Sequence, residues 1–176
     1  MKTKGKLLLV LLAALVLLYF VFVQQIFNTV SFDEELEKIN AIDEKFELQG
    51  KLVPTQEQEL KEYNIELIDL EKELSEKKEN NDLKALNYLI DSKKELVLLQ
   101  LNLIELEKSS YCITQLELID SITSSAVSAR DSIQNYVTNY SDLAEKTKEW
   151  NENVLETTSS LISSFSEIKE EKEATC

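Results

Sequence analysis

Neither glycine nor proline occurs anywhere from Thr55 to Cys176, and no other feature of the chain restricts its fold as much. Sheet proteins depend on tight turns, and glycine supplies the positive φ that most of those turns use. With its 2 glycines and 1 proline all at or before Pro54, this chain cannot make many of them. The expected fold is all-α: an elongated antiparallel bundle or coiled coil of three to four long helices.

Ahead of that region, residues 7–27 read LLLVLLAALVLLYFVFVQQIF, with Gln24 and Gln25 the only polar members. As a helix this segment is about 31 Å long, the thickness of a bilayer's hydrocarbon core. Lys2, Lys4 and Lys6 precede it; Asp33, Glu34, Glu35 and Glu37 follow. Because positive charge stays on the cytoplasmic side, residues 1–6 are expected inside the cell. Residues 7–27 then form a signal-anchor helix in contact with lipid, and residues 31–176 an extracytoplasmic domain. The competing reading is a signal peptide cut near Thr29-Val30-Ser31.

Charge narrows the partners. The 16 basic residues beyond the apolar run face all 33 acidic ones. A domain this acidic is repelled by phosphate backbones, which argues against nucleic-acid binding.

Apolar spacing places four helices. The first, 32–49, carries Phe32, Leu36, Ile39, Ile42 and Phe46 at intervals of three and four. Ser31 and Glu34 suit a capping box at its start, and Gly50 a C-terminal cap. The second, 55–79, has the coiled-coil seam Leu60, Tyr63, Leu67, Leu70, Leu74. Asn80-Asn81-Asp82 marks a turn, with Asp82 suited to cap the third helix, 82–108. Between Leu96 and Leu106 only Gln100, Asn102 and Glu105 are polar, so this helix should be contacted on several sides. The fourth, 111–172, continues one rhythm through Ile133, Tyr136, Tyr140, Leu143, Trp150, Val154, Leu161, Phe165 and Ile168. A break near Asn151–Asn153 or in the Ser/Thr run would leave the pattern intact; read as a single long helix, the segment outruns its neighbours, and this stripe becomes a candidate self-association surface. Ser121–Ser132 is rich in Ser and Ala, which lets neighbouring helices approach closely.

Little in the sequence suggests chemistry. Histidine is absent, and with it the usual general base, the Ser-His and Cys-His dyads and the commonest metal ligand. No glycine-rich loop is present to cradle a phosphate. The carboxylate runs Glu57–Glu62 and Glu167–Glu173 have the spacing of solvated helix faces. No catalytic, cofactor-binding or metal site is expected, nor is a small-molecule substrate evident. Tyr136, Tyr140 and Trp150 could stack on a sugar, but they share the stripe of Leu143 and Val154 and read as core. Asn139-Tyr140-Ser141 fits the N-glycosylation sequon.

Cys112 and Cys176 would lie outside the cytoplasm, where disulfides persist. On one continuous helix they stand about 96 Å apart, far beyond bonding reach. Cys112 then reads as a small buried residue and Cys176 as a candidate for an intermolecular bridge. Only a fourth helix folded back on itself could join the two.

Leu52-Val53-Pro54 with Lys61 and Tyr63, and Asp82-Leu83-Lys84-Ala85, resemble fragments of LemA-type proteins. That resemblance implies a short cytoplasmic N-terminus, one anchor and an exported helical bundle. The paired arginines and the tryptophan of that family's pattern are missing here. The functional expectation is a membrane-anchored helical scaffold, tether or assembly subunit in the cell envelope. It would act through a helical protein partner or a second copy, without enzymatic activity. The alternative is an extracytoplasmic ligand-sensing or regulatory bundle that works through a partner membrane protein.

Overall fold

The computed structural model describes Tyr19, residues 29–48 and residues 50–176. Apart from Tyr19, the expected anchor at 7–27 lies outside the described residues. Among the described residues no helix is long and apolar enough to cross a membrane.

The described chain is all-helical. Helix α1 spans Phe32–Lys45, α2 Glu57–Ser75, α3 Asn81–Lys108 and α4 Cys112–Asn139. A single turn, α5 (Ser141–Ala144), and a 3-10 turn (Glu145–Thr147) lead into α6, Lys148–Thr175. Cross-links between side chains give the directions. Lys38 pairs with Glu73 and Lys45 with Glu66, so α1 and α2 are antiparallel. Lys94–Glu71 and Lys108–Glu57 make α2 and α3 antiparallel. Ser92 meets Ala129 while Tyr88 meets Tyr140, and Asp120 meets Lys169 while Gln115 meets Lys172. The bundle therefore runs up and down, as expected of short-looped helices.

Helix α1 lies parallel to α3 in a register of fifty residues. The Asp82 carboxylate accepts from the Phe32 backbone N–H at 2.9 Å. Asn80 Nδ2 donates to the Val30 carbonyl at 2.8 Å, while its Oδ1 caps α3 by accepting from Leu83 N–H at 2.8 Å. Two expected caps are thereby reassigned. Asn80, not Asp82, caps α3, and Asp82 takes the role expected of Ser31, whose side chain makes no capping bond. One turn thus satisfies orphan N–H groups of two helices at once.

The first helix also ends before the expected 49. Glu47 N–H donates to the Glu44 carbonyl and Leu48 N–H to the Asp43 carbonyl, the paired bonds of a Schellman motif. Glu47 holds the left-handed position at φ 51°, and the buried Leu48 packs behind it. Gly50, expected as the cap, is left-handed too at φ 88° but serves the following loop.

The expected helix 111–172 is not continuous. At Tyr140 the backbone leaves helical values (φ −135°, ψ 47°), and α6 folds back along α4. The two halves bury the shared stripe against each other and against α3. Ile133, Tyr136 and Val154 are fully buried, Phe165 nearly so, and Tyr140, Leu143, Trp150 and Leu161 partly; only Ile168 is exposed. Apart from Ile168, the stripe is therefore covered within this chain. Apolar area is removed from water equally well by a second segment of the same chain as by another copy.

The fold-back also brings Cys176 to Cys112, which form a disulfide within the chain with Cα atoms 6.0 Å apart. This replaces the intermolecular bridge expected of Cys176. The seam residues Leu60, Tyr63, Leu67, Leu70 and Leu74 are all buried, as their spacing implies. Helix α3 is contacted by α1, α2 and α4, which accounts for its wide apolar girth.

Candidate functional site

Along α3 the buried residues Leu86, Ile90, Lys93 and Val97 follow a 4-3-4 spacing, so a lysine occupies a core position. Its ammonium must be matched by buried partners, because an isolated charge in the interior is prohibitively costly. Three neighbours serve. Lys93 Nζ lies 2.8 and 3.1 Å from the two carboxylate oxygens of Asp43 on α1 and donates to Tyr63 Oη on α2 at 3.3 Å. Tyr63 Oη in turn donates to Asp43 Oδ1 at 2.6 Å. The ammonium also sits 4.6 Å from the ring centroid of Trp150 on α6, a cation–π contact. One lysine thus ties together four elements that the sequence keeps far apart.

Burial pushes the Lys93 ammonium below the usual lysine value, with the Asp43 charge acting against it. Burial, reinforced by the charge of Asp43, pushes the Tyr63 phenol well above its usual value. Tyr63 stays a neutral hydrogen-bond donor, and the cluster is a bridged ion pair.

A cleft of about 890 Å³ opens beside this cluster. Leu36, Ile39, Asn40, Asp43, Glu44 and Glu47 of α1 and its cap form one wall. Residues 145–150, Glu152 and Asn153 form the other, and Leu89 and Lys93 of α3 the floor. The Trp150 indole N–H is buried and has no acceptor among the described residues.

The second wall is held by its own polar network. Asn151 Nδ2 donates to the Ala144 carbonyl at 3.0 Å, and Thr147 Oγ1 lies 3.2 Å from Tyr136 Oη and 3.3 Å from Asn151 Oδ1. Lys146 pairs with Asp33 and lies over the Phe32 ring at 5.6 Å. These contacts fix the turn between α4 and α6 against the start of α1.

Of the residues singled out in sequence, the structure brings Trp150 to the cleft and Tyr136 to its supporting network. Tyr140 faces Tyr88 instead, with ring centroids 6.1 Å apart, so the three aromatics form no common stacking surface. Cys112 and Cys176 lie at the far end of the α4–α6 hairpin. Composition and motif spacing do not point to Lys93 and Asp43, although a lysine at a stripe position between Ile90 and Val97 is a readable signal. The described residues hold no group of carboxylates or cysteines arranged to ligate a metal.

No protein-family model matches the chain, and neither does any curated protein or solved structure. The resemblance to LemA-type proteins is thus carried by the quoted fragments alone.

Proposed function

We propose that the chain is a membrane-tethered extracytoplasmic helical module that works by holding a protein partner, not by catalysis. The observation that carries this reading is the intrachain disulfide Cys112–Cys176 in a chain whose residues 7–27 have the length and apolarity of a membrane span. Structural disulfides persist in oxidising compartments, which is where the charge asymmetry around 7–27 would place the domain. The stripe once open to self-association is occupied internally, so the module presents its partner-binding surface elsewhere.

A second reading, a regulatory bundle that senses a ligand and acts through a membrane partner, is favoured by the cleft between α1 and α6. Both readings share the tether. The test is alkaline carbonate extraction of membranes, together with protease added to intact cells or spheroplasts. The chain stays with the membrane and loses residues beyond 31 to the protease if the reading holds. Recovery in the soluble cytosolic fraction, or protection from the protease, contradicts it.

A further inference from the structure

Asn139 is the only asparagine of the chain followed two places on by a serine or threonine, in Asn139-Tyr140-Ser141. That triplet is the acceptor pattern for N-linked glycosylation of exported chains, and it belongs at the surface. Inside a continuous helix it would be a poor acceptor. Residues two apart on a helix do not face each other, so the amide and the hydroxyl recognised with it would point apart.

The structure interrupts the helix at the middle residue. Asn139 ends α4 and Ser141 begins α5, while Tyr140 between them stands at φ −135°, ψ 47°. Asn139 and Ser141 are both exposed, and Tyr140 is half-buried against Tyr88. The outer two side chains thus share the solvent side with the middle one turned inward, the alternation of a strand and not of a helix. The side chains of Asn139 and Ser141 make no hydrogen bond among the described residues. A group joined to Asn139 Nδ2 therefore breaks no contact of the fold, and it leaves the cleft open, because Asn139 does not line it.

We propose that Asn139 is a glycosylation site, carrying an oligosaccharide through its side-chain nitrogen. The donor is a lipid-linked oligosaccharide phosphate, and a membrane glycosyltransferase joins the two. Asn139 Nδ2 attacks the anomeric carbon; the C–N bond forms as the bond from that carbon to the phosphate oxygen breaks. The lipid phosphate leaves with the bonding electron pair, the amide gives up one proton to base, and nothing is oxidised or reduced. Only an exported chain meets such a donor, so the inference rests on the extracytoplasmic reading.

The full chain is isolated from the membranes of its own host and digested with trypsin. Residues 131–146 emerge as one peptide, since neither lysine nor arginine lies between Arg130 and Lys146. Fragmentation that preserves the glycosidic bond then locates any added mass. The expected result is whole sugar residues on Asn139 and none on Asn135, an exposed asparagine one helical turn earlier whose second follower is Val137. Asn139→Gln and Ser141→Ala each abolish the addition. Ser141→Thr, which keeps the hydroxyl, retains it, and helical circular dichroism is unchanged in all three.

Sugar on Thr138 or Ser141 in place of Asn139 overturns the proposal, as does sugar that survives Ser141→Ala. A bare peptide from a membrane-extracted chain with Cys112 joined to Cys176 overturns the glycosylation site alone. A bare peptide from a chain that fractionates as soluble with both thiols free overturns the extracytoplasmic reading and the site with it. A glycosylated chain released by alkaline carbonate upholds the site and refutes the tether alone.

Discussion

Lys93 shows how much one side chain can organise. It is 3% exposed and draws Asp43, Tyr63 and Trp150 from three other helices or their ends. Removing one partner of a buried pair leaves the other charge stranded, which costs about 3–5 kcal/mol. Asp43→Ala is therefore expected to lower stability by about that amount, since it strands the lysine. Lys93→Met combined with Asp43→Leu removes both charges and is expected to recover most of the loss. Urea midpoints of the two variants check this; equal destabilisation by both would show that packing, not charge, dominates the site. The pH dependence has a defined sign. Because burial lowers the Lys93 value in the fold, the unfolded chain binds the extra proton, and its contribution to stability grows as pH rises toward the usual lysine range.

At the scale of elements, helix ends and hairpins carry the specificity. Glu47 holds a left-handed conformation that costs an L-residue about 1 kcal/mol relative to glycine. Glu47→Gly should therefore stabilise the chain by up to about 1 kcal/mol, read as a raised thermal midpoint, because the Schellman bonds survive unchanged. Helix α2 begins at Glu57, whose carboxyl is held down to about 2 by hydrogen bonds from Lys108 and Lys61. A depressed carboxyl contributes stability above its unfolded value, and that contribution is lost as pH falls from about 4.5 toward about 2. Lys108→Ala should return the Glu57 titration toward the ordinary carboxyl range, measurable by carbon-detected NMR of that side chain. An unchanged midpoint would mean that Lys61 alone sets it.

The α4–α6 hairpin is the element least legible in sequence. The seam of α2, the girth of α3 and the turn at Asn80 could all be read from spacing and turn chemistry. The break at Tyr140 could not, because no glycine or proline marks it and the three-four rhythm continues from Tyr136 through Trp150 without a slip. A stripe in unbroken phase fits a straight helix and a folded one alike; only the tertiary gain of packing α6 on α4 separates them. Once the chain folds there, the disulfide closes a loop of 64 residues, which restricts the unfolded chain by about 4 kcal/mol in the loop-entropy account.

Taken whole, the molecule is a polar-surfaced helical stack entered at one end and fastened at the other. Thr29 bridges to Lys78 beside the start of α3, and the disulfide sits beyond the end of α3, which is 28 residues and about 42 Å long. The cleft lies nearer the entry end, walled by α1 and the start of α6. The central claim is a chain folded back on itself in an oxidising compartment. Peptide mapping without reduction tests it most directly: the chain is extracted from membranes with free thiols alkylated at lysis, then proteolysed and analysed by mass spectrometry. The account predicts a Cys112 peptide joined to a Cys176 peptide, from a band that runs as a monomer on a non-reducing gel. A Cys176-to-Cys176 dimer, or two alkylated thiols, would contradict it.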